Sequence, residues 1–234
     1  MLYPILRIAA MVVILGASAT STMAQNTSQP DRPETREQQA RLLAEARQQA
    51  QRSLGGLRSF VTPETFQRLG FESVEEVNNA QIEQPIPIFM VPLDRLRQYK
   101  SGGNPADLLL RTNEIRVPLT VSGQVRSSMT LRQTQGGWEV ARIGRPQLTK
   151  ELLGAIKPPA PAAQAPGDAF FEVTIPALNL EFVGRREDTR VLLTSLVSEP
   201  LYELQAGETL DARQVFDHLA PFAEQLETGP FIAN

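Results

Sequence analysis

Residues 115–143 read IRVPLTVSGQVRSSMTLRQTQGGWEVARI, and this stretch decides the fold. Ile115, Val117, Leu119 and Val121 alternate with Arg116, Pro118 and Thr120. Ser122-Gly123-Gln124 then turns the chain. Val125, Met129 and Leu131 fall on the inner side, with Arg126, Ser128, Thr130 and Arg132 outward. Gln135-Gly136-Gly137 makes a second turn, after which Trp138, Val140 and Arg142 alternate with Glu139, Ala141 and Ile143. Successive strand side chains point to opposite faces, so period-two patterning broken by glycine turns predicts an antiparallel β-meander. With the first turn centred on Gly123, Glu114 lies across from Arg132, an exposed pair worth ~0.2–1 kcal/mol.

Upstream of the meander, Ile86 to Leu93 is apolar but carries Pro87 and Pro92, which predicts an edge strand or a bulge. Before it lie two capped helical turns, one opening at Thr62-Pro63 and one at Ser73-Val74-Glu75-Glu76. Further back, Asp31-Arg32-Pro33-Glu34 opens a helix that is expected to stop at Gly55-Gly56. Its apolar stripe is thin (Leu43, Ala46, Ala50, Leu54), which fits a lid packed lightly on the body or a partner surface, with a mostly solvated helix the favoured reading.

Downstream, Pro146 to Ile156 reads as a short helix with Leu148, Leu152 and Ile156 on one side. Residues 158–167 form a Pro/Ala linker. Phe171, Val173 and Ile175, then Leu178, Leu180 and Phe182, alternate as strands, with Val191 and Leu193 in a third and Leu201 to Leu204 in a fourth. Asp211 caps a final helix with Gln214 at its third position, and Pro221 is expected to kink or split it. The fold class is therefore α+β: N-terminal helices on a curved antiparallel meander, followed by a second, smaller antiparallel sheet plus helix. The divisions are 1–24, 25–157, the linker 158–167 and a C-terminal module at 168–234. Phe89-Met90-Val91-Pro92-Leu93 and Val173-Thr174-Ile175-Pro176-Ala177-Leu178 are faintly alike, a hint of an internal repeat too short to prove one.

The first 24 residues read as a secretory signal peptide. Arg7 precedes an apolar run from Ile8 to Ala17, and small and polar residues follow up to Ala24. The run is about half the ~20 residues that a membrane-spanning helix needs, and no later stretch is longer. Cleavage is expected after Ala24, which places the mature chain in the periplasm or outside the cell. The mature chain is expected to have no transmembrane segment.

Composition excludes several chemistries. The 234-residue chain has no cysteine, so disulfides, thiol catalysis and thiolate metal sites are out. The single histidine, His218, excludes sites built on two imidazoles. No Gly-x-Ser-x-Gly elbow and no phosphate loop occurs. No cofactor and no metal is expected. Charge is unevenly divided: residues 80–157 hold 11 basic and 6 acidic groups, and residues 158–234 hold 4 and 12. The favoured reading is that the two halves face each other and partly neutralise. No Lys/Arg cluster is dense enough for nucleic acid.

Arg116, Arg126 and Arg132 share the outward face of the hairpin, and Arg95 and Arg97 lie just before the loop at 101–105. Converging, they would hold a carboxylate, phosphate or anionic head group. Otherwise each pairs with a local acid, the more usual behaviour of surface charge. The expected function is that of an exported, non-catalytic protein that binds another envelope protein or an anionic envelope component. The alternatives are a periplasmic hydrolase using carboxylates and His218, and an envelope-associated chaperone-like or structural factor.

Overall fold

A computed structural model describes residues 36–156 and 170–226. The signal-peptide segment, the helix start at Asp31 and the Pro/Ala linker lie outside them. The class is α+β: among the described residues four α-helices accompany one nine-stranded, mostly antiparallel sheet. In chain order the elements are α1 (Arg36–Phe60), β1 (Gln81–Ile82), β2 (Ile86–Met90), α2 (Leu93–Gln98), β3 (Leu110–Val121), β4 (Gln124–Thr134), β5 (Gly137–Ile143) and α3 (Pro146–Ala155). Then follow β6 (Phe170–Ile175), β7 (Leu180–Glu187), β8 (Arg190–Ser195), β9 (Thr209–Asp211) and α4 (Ala212–Gln225).

Strand order is β5-β4-β3-β2-β6-β7-β8-β9, with β1 paired to β3. The meander has the expected turns, and Glu114 is the register partner of Arg132. Two antiparallel arrays stand on either side of the linker segment, as the sequence pattern indicates. The parallel pairing of β2 with β6 joins them into one sheet. The two look-alike segments meet there in register: Phe89 lies beside Val173 and Met90 beside Thr174. Pro92 and Pro176 then each open a helical turn.

Pro87 therefore sits in a central strand, and of its two expected settings, an edge or a bulge, it takes the bulge. The cost is limited because β6 pairs only from Ile88 onward, and the β2–β3 register shifts between Pro87 and Phe89.

One face of the sheet carries both α1 and α4. Ile115, Val117, Leu119, Met129 and Leu131 pack under α1. Phe89, Val173, Phe182 and Leu193 pack under Val215, Phe216 and Leu219 of α4. The opposite face carries α3, whose Leu148 and Leu152 cover Ile86 and Val183. The first helix is a lid on the body: most of it is exposed, but its stripe is docked. Leu43, Ala46, Ala50 and Leu57 are all buried against the meander. Burying a leucine contributes ~1.5–3 kcal/mol, so even a thin stripe docks the helix. Leu57 extends that stripe beyond Gly55-Gly56, and the helix continues to Phe60 because docking outweighs a cost of about 1 kcal/mol per glycine.

Two further expectations change. Leu201 to Leu204 is not a strand: Pro200–Tyr202 forms a helical turn, and the sheet ends instead with β9. Pro221 does not split α4, which runs on to Gln225 because Leu219, Ala220 and Ala223 stay buried on both sides of it. The Asp211–Gln214 capping box is present as expected.

Candidate functional site

The five candidate arginines do not converge. Arg95 donates to the Asp107 carbonyl at 3.0 Å. Arg97 donates to the Ala223 carbonyl at 2.8 Å and to that of Leu226, so a cation sits at the C-terminal end of α4, where the helix dipole favours it. Arg126 is clamped between Glu76 (2.6 Å) and Glu72 (2.8 Å). Arg132 pairs with Glu114 at 2.8 Å, and Arg142 joins the same carboxylate at 2.6 Å.

Arg116 overturns the outward reading outright. Only 1% of it is exposed, because α3 covers its face of the meander. Its Nε and Nη2 donate to the two carboxylate oxygens of Glu172, at 2.6 and 2.8 Å. This bidentate pair spans from β3 over β2 to β6 and crosses the seam between the halves. Nη1 donates to Ser128 Oγ at 3.2 Å, and Ser128 Oγ donates to the Gly144 carbonyl at 2.8 Å. Thr149 Oγ1 of α3 lies 3.1 Å from Ser128 Oγ. Burial alone would make the guanidinium easier to deprotonate; the hydrogen bonds and charge of Glu172 outweigh it, and the net shift is upward. The network ties β3, β4, β6 and α3 together and exposes no group to a ligand.

His218 lies on α4, half-buried. Its Nε2 is 2.9 Å from the Tyr202 carbonyl, which fixes that nitrogen as the N–H donor, and its ring packs against Phe222 at 5.6 Å. Asp217 is the next residue, and neighbours on a helix do not face each other. Its Oδ1 is buried without a hydrogen-bond partner among the described residues, and its charge acts on Tyr99. Burial first, and the Asp217 carboxylate second, hold the Tyr99 hydroxyl above its ordinary pKa. His218 and Asp217 thus point to different neighbours and do not assemble into a dyad.

His218 instead borders an open pocket of ≈150 Å³, lined by Tyr202, Leu204, Leu210, Gln214 and Val215 with Glu203 at its rim. Its walls come from the Pro200–Tyr202 turn, β9 and the first turns of α4. Leu201, next along the turn, is 63% exposed. The Gln214 Oε1 accepts from the Asp211 backbone in the capping box, which orients its amide and leaves Nε2 to donate. Sequence reading found His218 but not the pocket. The cue in the sequence is Leu201–Leu204, a short apolar run whose pattern by itself reads as a strand.

Among the described residues no three His, Asp or Glu side chains come together as a metal site, and no helix is long and apolar enough to cross a membrane. The chain matches no protein-family model, no curated protein and no solved structure.

Proposed function

We propose that this is an exported, non-catalytic binding protein that meets another protein of the periplasm or cell envelope at the pocket beside His218. The observation that carries the reading is the pocket itself: a concave, mainly apolar surface with a few fixed polar groups at its edge, next to an exposed leucine. Such concavities are where apolar anchors of a partner bury. The pattern at residues 1–24 supports export. The reading of an anionic ligand held by the five arginines has less support, because each arginine is already engaged by a carboxylate or a carbonyl.

The test is site-directed photo-cross-linking in cells. A photoreactive residue at Leu201 or Gln214 is expected to give a discrete adduct with one envelope protein, and the same residue at Val140 is not. Identical adduct patterns at all three positions would reject the pocket as the contact. Export is checked by mass spectrometry of the periplasmic fraction, where the chain is expected to begin at Gln25.

A further inference from the structure

We infer that the partner segment carries an apolar side chain flanked by Lys or Arg. This inference rests on the binding reading above and adds the chemistry of the partner. Between Glu199 and Leu226 the sequence holds Glu199, Glu203, Glu208, Asp211, Asp217 and Glu224 against Arg213 alone. Glu203 stands at the pocket rim, Asp211 caps the helix that forms one wall, and Glu208 lies in the short loop before β9. Glu203 and Glu208 are exposed and have no ion-pair partner among the described residues. Arg97 approaches α4 from α2, but its guanidinium is held by the carbonyls at the far end of the helix.

The pocket is thus an apolar socket with an unpaired carboxylate, Glu203, at its rim and a second, Glu208, on the segment that leads into the β9 wall. Its floor, made by Leu204, Leu210 and Val215, accepts an aliphatic or aromatic side chain. Its rim rejects an anionic segment and attracts a cationic one, most strongly at separations below the Debye length of ~8 Å at physiological salt. The Gln214 amide donor and the Glu203 carboxylate then fix orientation at the rim.

His218 supplies the assay, since its ring resonances have no other histidine to overlap with. The full mature protein is titrated with acetyl-Lys-Lys-Leu-Lys-Lys-amide and the His218 ring signals are followed by NMR. Saturable shifts are expected. Binding should weaken about tenfold or more when the leucine is replaced by alanine, when the lysines are replaced by glutamate, and when salt is raised well beyond the screening limit. Glu203→Lys combined with Glu208→Lys changes only exposed side chains and is expected to weaken it to a similar extent. Equal binding of the glutamate peptide, or of the alanine peptide, would overturn the inference. Shifts that grow with protein concentration in the absence of peptide would show a second copy in the pocket and would also overturn it. Cross-linking from Gln214 without any response to the lysine peptide removes the charge assignment and leaves the docking reading; failure of both removes both.

Discussion

The half before the linker and the half after it are built on the same order, a proline-ended strand, a meander and a helix, yet they use charge in opposite ways. In the first half every arginine proposed as a ligand contact is engaged within the fold. Three of its described cations reach into the second half: Arg116 to Glu172, Arg145 to Glu181 at 2.6 Å, and Arg97 to the Ala223 and Leu226 carbonyls. The second half is held by apolar packing. Its Phe171 packs across the seam on Phe89 of the first half, at 4.9 Å between ring centres, and the Arg186 guanidinium lies over both rings. Part of the charge asymmetry is therefore neutralised at the seam, as the sequence reading favoured. Of the acids that remain, Glu203 stands at the His218 pocket and Glu208 just before β9, both exposed. A surplus that the fold does not consume is available to a partner.

The contrast breaks most readily at the seam. Glu172→Leu leaves Arg116 buried without its counter-ion, and a loss of ~3–5 kcal/mol is expected in urea unfolding. The double variant Arg116→Met with Glu172→Leu should recover most of that loss, because the uncompensated charge is gone. If the single variant costs no more than a surface substitution, the pair does not hold the halves in register.

Packing in the second half is tested at Gly184. A Cβ there would overlap the Phe171 ring, which lies directly across the strand pair. Gly184→Ala is expected to cost ~1–3 kcal/mol, with Phe171→Leu in the same chain relieving part of it. No relief would mean that the cost arises elsewhere than at the ring.

The smallest effect belongs to the exposed charges of the first half. Glu114→Gln weakens two pairs at once, yet Arg132 and Arg142 are 46% and 56% exposed. A change of under about 1 kcal/mol is expected, and it should shrink further in high salt. A larger loss would place Glu114 within the buried network and blur the distinction between the seam and the surface.

Much of the fold was legible because it is local. The alternation from Ile115 to Ile143 carries three strands, and the turn at Gly123 sets Glu114 opposite Arg132; the register shifts at Leu119/Thr120 and Thr130/Leu131 are not visible in it. Asp211 and Gln214 announced the start of α4. The misreadings share one cause. Alternation puts Arg116, Ser128 and Thr130 on the second face of the meander but does not say whether that face is covered. The thin stripe of α1 says little by itself, because its burial depends on a sheet that comes later in the chain. For Pro87 the sequence leaves an edge or a bulge open, and what decides for the bulge is a parallel neighbour more than 80 residues downstream that makes β2 central.

The sequence by itself determined the α+β class, the meander, its turns and the capping of the last helix, since each follows from the chemistry of neighbouring residues. Only the tertiary structure decided that Arg116 belongs to the interior, that two antiparallel arrays are one sheet, and that His218 edges a pocket in place of a catalytic dyad. Each of these depends on groups far apart in the chain: the Arg116 guanidinium is neutralised by a carboxylate 56 residues away, and no local pattern carries that information.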